Sequence, residues 1–167
     1  MDIIKWINQI LSWEPNARIV LHGVSMGAAT VLMASGEDLP ENVKAVIADC
    51  GYTSEWDEFQ READTLHIPW FPVLNATSVL SKVRDGYDFK QASALAQVKK
   101  SRIPTLFIHG SSDELVPYSM LGELYAAAAC EKEELTVEGA GHALSSSVAP
   151  TLYWRTVEDF IAKYLDR

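Results

Sequence analysis

Cysteine is scarce: among 167 residues there are two, Cys50 and Cys130. They stand far apart and outside any metal-ligand spacing, so no disulfide framework and no metal site is expected, and both read as free, mostly buried thiols. Positive charge is also short. Fourteen Lys and Arg stand against 23 Asp and Glu, a formal net charge of −9 with a pI near 4.8. No basic stripe exists to neutralise phosphates, which excludes nucleic acid as a partner. Nor does any apolar run reach the ~18–20 residues that a membrane span needs. Met1 to Trp13 mixes charges into an amphipathic pattern that fits neither a signal peptide nor a span. A soluble, cytoplasmic chain is expected, and an export signal or anchor would have to lie upstream of Met1. Internal repeats and low-complexity linkers are absent, which points to one domain over residues 1–167. Apolar material is plentiful at 48%, enough for that domain to bury a core.

The chain is organised around Arg18 to Met33. The apolar run Ile19-Val20-Leu21 leads into His22-Gly23-Val24-Ser25-Met26-Gly27, and an alanine-rich helical stretch follows. Gly23-Val24-Ser25-Met26-Gly27 matches the GxSxG elbow, in which a serine sits on a strained turn between strand and helix. Glycine two positions to either side is expected to remove side chains that would collide with this turn. The following helix aims its first amides at the place where negative charge would develop, and the Met26 amide is the candidate oxyanion donor.

In chain order, apolar residues at helical spacing predict a helix from Asp2 to Trp13, stopped near Pro15. Short, non-alternating apolar strands are predicted at Ala17–His22, Val43–Asp49, Pro104–His109 and Glu134–Glu138, as in a parallel sheet covered on both faces. Helices are predicted from Met26 to Ser35 with Gly36 as C-cap, from Pro117 to about Cys130, and from Leu152 to Leu165. Residues 54–100 are a long excursion between strands, with helices expected near 54–66, 73–83 and 91–98. Such an excursion reads either as a cap over a site or as a surface insertion. Strands alternating with helices specify an α/β fold, a parallel sheet with flanking helices joined by right-handed crossovers.

Three residues at strand ends carry chemistry. A serine hydroxyl must hand its proton to a base, usually a histidine oriented by a carboxylate. Ser25 follows the first strand, Asp113 the third and His142 the fourth, all on the edge where open parallel sheets bind ligands. Asp49 also follows a strand and Glu114 adjoins Asp113, so both are rival acids. His22 and His109 precede glycines at strand ends and read as structural, hydrogen-bonding groups on the site floor; His67 reads as a surface residue. Trp70, Phe71 and Leu144 are candidate apolar pocket residues, with core packing as the equal alternative.

HGVSMG, AVIADCGY, PTLFIHGSSDELVP and GAGH together resemble the carboxyl-terminal half of a bacterial α/β hydrolase of the esterase-like and serine-peptidase-like group. The resemblance covers nearly the whole chain. It implies Ser25 as nucleophile, Asp113 as acid, His142 as base, no cofactor and a small-molecule ester substrate. The family sheet has about eight strands and takes its second oxyanion amide from a loop after an earlier strand. Only four strands and a helical cap insertion are expected here, a truncated form of that fold. Two functions follow: a serine carboxylesterase, with peptidase and thioesterase relatives as variants, or a non-catalytic fragment or binding module. The elbow strand, interior in the family, becomes an edge, so a homodimer or a complex with a separate amino-terminal half is expected.

Overall fold

In the computed structural model, residues 2–165 are described. Helix α1 (Asp2–Trp13) precedes β1 (Ile19–Val24), α2 (Met26–Ser35) and β2 (Val43–Asp49). Three helices then intervene, α3 (Glu55–Thr65), α4 (Trp70–Asp85) and α5 (Ala94–Val98), before β3 (Thr105–Gly110), α6 (Ser119–Ala127) and β4 (Lys132–Val137). The chain closes with α7 (Ser145–Val148) and α8 (Pro150–Tyr164).

The four strands form one parallel sheet in the order β1-β2-β3-β4, so the elbow strand lies at an edge as expected. The register aligns the carboxyl ends, pairing Val24 with Asp49, Asp49 with Ile108, and Gly110 with Val137. Every loop that carries chemistry therefore leaves the sheet on the same side.

Each face of the sheet has its own core. On one, Leu21, Val46 and Phe107 pack with Ile7 of α1, Leu32 of α2, Val98 of α5 and Leu124 of α6. On the other, Ile47, Leu106 and Ile108 meet Tyr153, Val157 and Phe160 of α8. Successive strand residues point to opposite faces, which is why neighbours such as Val46 and Ile47 belong to different cores. β3 is buried at all six positions, and its lack of polar alternation is the consequence.

The excursion after β2 is built differently. Ser54 caps α3, accepting the Asp57 amide at 3.0 Å and donating to the Asp57 carboxylate at 2.6 Å. Its base is pinned by an antiparallel bridge between Ser54 and Ser93. Beyond that bridge the chain has rejoined the body: Ala94 and Val98 of α5 are core residues packed with α2. α3 buries none of its residues, and α4 buries Leu74 and Ser78.

Several boundaries differ from expectation for local reasons. β1 runs two residues further, through Val24 to the elbow itself. α4 starts at Trp70 rather than Val73, with a break at Phe71 that interrupts the helical backbone. α6 stops at Ala127 because the Lys132 ammonium takes the carbonyls of Tyr125 at 2.6 Å and Ala128 at 2.8 Å, supplying the end of the helix with a cation. Gly36 closes α2 in a right-handed rather than left-handed conformation. It is needed because a Cβ there would lie 2.4 Å from the Gln97 carbonyl oxygen.

Candidate active site

Ser25 sits between β1 and α2 with φ 55° and ψ −118°, a backbone that a non-glycine residue rarely adopts. The turn is held from both sides. The Ser25 amide donates to the Asp49 carbonyl at 2.8 Å, and the Ser25 carbonyl accepts from Ala29 at 3.0 Å. A Cβ on Gly23 would lie 2.2 Å from the Gly27 carbonyl oxygen, so glycine is obligatory at that position. At Gly27 the expectation fails: a Cβ there would meet nothing within 4 Å. The elbow is tight on one side only. Met26 opens α2, so its amide is among the first four of the helix that have no acceptor within it.

The turn after β3 places Asp113. Its Oδ1 accepts the amides of Leu115 and Val116, both at 2.9 Å. Its Oδ2 faces His142 Nδ1 at 2.9 Å and His109 Nε2 at 3.3 Å. The carboxylate side chain is completely covered, while that of His142 is 21% exposed. On the far edge of the imidazole, His142 Nε2 lies 2.8 Å from Ser25 Oγ. With Nδ1–H donated to a carboxylate that only accepts, Nε2 is left as the acceptor for the serine hydroxyl. The three residues chosen from sequence thus meet in one chain of hydrogen bonds.

The rival acids are elsewhere engaged. Asp49 is buried, accepts the Ser145 hydroxyl at 3.2 Å and is hydrogen-bonded by Tyr153. Burial pushes its carboxyl above the ordinary carboxylate range, against those hydrogen bonds. Glu114 is exposed. His22 hydrogen-bonds the Tyr153 hydroxyl at 3.0 Å, so Tyr153 joins it to Asp49. His109, read as structural, also touches Asp113 directly, and its Nε2 lies 3.0 Å from the Val116 carbonyl. His67 is exposed, with Nδ1 beside the Thr65 carbonyl.

The candidate pocket residues stand in two places, Trp70 and Phe71 in the excursion and Leu144 two residues after His142. Trp70 lines an apolar cavity of ≈ 220 Å³ inside the excursion, with Phe59, Leu66, Ile68 and Leu74. Phe71 is 67% exposed and Leu144 49% exposed, so neither packs in the core. Glu58 of α3 is close enough to His142 to interact with it electrostatically, which sets this face of the excursion near the site.

Sequence reasoning missed Cys50, Ser145 and Tyr153. The Cys50 thiol is pushed up to about 12 by burial and by neighbouring carboxylates, so it is a neutral neighbour of the triad. One donor atom from each of Cys50, Asp113 and His142 lies within 4.8 Å of the others. No spacing motif signals this, because the three residues come from three different loops.

Fold and site define an α/β hydrolase. The family model of the prolyl oligopeptidase family, peptidase S9, matches residues 1–167, and the chain belongs to that family. The uncharacterized protein YqkD of Bacillus subtilis is 32% identical over 165 residues, covering 96% of this chain and 53% of its own length. The α/β hydrolase domain-containing protein WAV2 of Arabidopsis thaliana is 31% identical, covering 89% of this chain and 48% of its own. The chain thus spans about half the length of these curated relatives. Among solved structures, the acylaminoacyl peptidase of Pyrococcus horikoshii superposes with TM-score 0.73 at 18% identity, over 99% of this chain and 27% of that one. The Pyrococcus furiosus esterase Pf2001 gives TM-score 0.73 at 19% identity, over 98% and 61%. These likenesses establish the shared fold. No helix among the described residues is long and apolar enough to cross a membrane.

Proposed function

We propose that the chain is the catalytic portion of a serine carboxylic ester hydrolase, with Ser25 as nucleophile, His142 as base and Asp113 as the orienting acid. The observation that carries the reading is the unbroken chain from Ser25 Oγ to His142 at 2.8 Å and on to Asp113 at 2.9 Å, built on a serine with φ 55°. His142 Nε2 accepts the Ser25 proton as Oγ attacks the ester carbonyl carbon. The buried Asp113 carboxylate stabilises the resulting imidazolium. The carbonyl oxygen, now anionic, is received by the Met26 amide at the start of α2. Collapse of this intermediate breaks the bond to the alcohol, which leaves with the proton from His142. Water, deprotonated by the same histidine, then releases the acid from Ser25.

A peptide or thioester substrate is the second reading, favoured by membership of a peptidase family and by the acylaminoacyl peptidase likeness. The edge strand β1 bears on partners as well. His22 and Val24 are exposed on it, and Trp154 of α8 is half exposed beside His22. A second copy of the chain, or an amino-terminal half of the fold, is the proposed cover for this edge and the source of the second oxyanion amide. Light scattering across a dilution series tests it: association is expected, and a monomer at micromolar concentration that binds no apolar dye argues against it.

The test of the reaction is a fluorophosphonate probe with mass mapping. Labelling at Ser25, abolished in Ser25→Ala and His142→Ala, supports the hydrolase. Absence of labelling in the folded wild type favours a non-catalytic module instead. Turnover of aryl esters against aryl amides then separates esterase from peptidase.

A further inference from the structure

Cys50 has no task in the reaction, yet it stands beside it. The residue follows β2 with φ 47° and is fully buried. Its sulfur lies near the backbone amides of Ala143 and Ser25, whose dipoles favour the thiolate, so one thiol adjoins both the serine elbow and the histidine loop. Ser25 and Ala143 themselves have φ of 55° and 56°. Three residues held in the left-handed region thus meet around this sulfur, with Asp113 and His142 donors within 4.8 Å.

We propose that Cys50, Asp113 and His142 form a binding site for a soft divalent cation of the zinc class, and that its occupation switches Ser25 off. The consequence rests on the triad reading, whereas the binding does not. Thiolate, imidazole and carboxylate suit Zn²⁺, with bonds of ~2.3 Å to sulfur and ~2.0 Å to nitrogen, and do not suit Mg²⁺ or Ca²⁺, which take oxygen. A modest contraction of the present triangle brings all three donors onto one ion.

The groups that orient metal ligands are already in place. Two amides face the sulfur, and two more hold Asp113 Oδ1 at 2.9 Å. His109 Nε2 lies 3.3 Å from Oδ2. Charge closes as well, since a dication with one thiolate and one carboxylate is neutral and can be buried without an unpaired charge. A net charge of −9 draws cations to the chain. His142 is the least buried member of the three.

Binding breaks the Cys50 S–H bond and releases that proton to solvent. The His142 hydrogen moves from Nδ1 to Nε2, and bonds form from the cation to Sγ, Nδ1 and a carboxylate oxygen. An imidazole held at Nδ1 presents N–H to Ser25 from Nε2, so it can no longer accept the serine proton.

Co²⁺ is the probe, because a sulfur-to-cobalt charge-transfer band reports a thiolate ligand without any catalytic assay. One Co²⁺ per chain is expected, with a band that excess Zn²⁺ abolishes and Cys50→Ser removes. Ser25→Ala should keep the band. His142→Ala should weaken Co²⁺ binding at least tenfold, and it decides the matter if Cys50→Ser does not fold. Zn²⁺ should slow fluorophosphonate labelling of wild type about tenfold or more, reversibly with a chelator, and that of Cys50→Ser less than twofold. No band in wild type overturns the site, as does a band that survives Cys50→Ser and disappears in Cys130→Ser. A band without labelling of the metal-free protein leaves the site standing and sinks the hydrolase; labelling without a band does the reverse.

Discussion

α4 and β3 lie close in the chain with one short helix between them, yet they are held by different physics. All six residues of β3 are buried, whereas α4 leaves Val73, Val79, Leu80 and Val83 between 54% and 81% exposed. β3 lies inside the sheet with helices over both faces, while α4 is supported from α3 and the loop before α5. Residues of the triad sit on loops leaving the first kind of element. The excursion that holds the second kind brings Glu58 of α3 within electrostatic reach of His142. A rigid base fixes the atoms of a site closely, and a loosely packed excursion can exchange shape without disturbing them.

The sharpest way to break this comparison is to remove one apolar side chain from each region. Phe107→Ala empties a core position that is 1% exposed and is expected to cost about 3–5 kcal/mol. Val83→Ala, at a residue 81% exposed, should stay within about 0.5 kcal/mol. Denaturant midpoints at constant slope give both numbers, and equal losses would contradict the division. Between them lies Ser54→Ala, which removes the cap of α3 and its bond to Asp57. A loss of about 1 kcal/mol is expected, with hydrogen exchange quickening in α3 while β3 stays protected.

A smaller effect concerns pH. Burial raises the Asp49 carboxyl above its ordinary value of 3.8, so the native state keeps this proton where the unfolded chain has lost it. The contribution to stability is then fully present below 3.8 and is lost as pH rises through the raised native value. Asp49→Asn should show a flatter stability curve across that window than wild type. A curve of unchanged slope would show that the native carboxyl titrates normally.

Much of this was legible in the sequence, where local chemistry and tertiary structure agree. The bounds of α1 and β2 were read as found, because Pro15 ends one pattern and the dense apolar run from Val43 has one use. The meeting of Ser25, His142 and Asp113 in one chain of hydrogen bonds was legible because each residue stands in a strand-end motif, and topology alone then brings strand ends together. What could not be read depends on contacts across the chain. The end of α6 is set by Lys132, which the next strand supplies. α7 is four residues long and carries no periodicity to find. Trp70 and Phe71 read equally as pocket or core residues, and their packing depends on the helices of the excursion around them. The structure puts Trp70 on a cavity inside the excursion and turns Phe71 towards solvent. Cys50 carried no signal at all, since its meaning arises from residues on three other loops.

The central claim is that Asp113, not Asp49, orients the base that activates Ser25. Each carboxylate is buried at the end of a strand, but one faces His142 Nδ1 and the other faces Ser145 and Tyr153. The direct measurement is the second-order rate of fluorophosphonate labelling at Ser25 in Asp113→Asn and Asp49→Asn, each verified as folded. A loss of about 10⁴-fold is predicted for Asp113→Asn through the wrong histidine tautomer, and less than about tenfold for Asp49→Asn. The reverse order, or full reactivity in Asp113→Asn, would contradict the account.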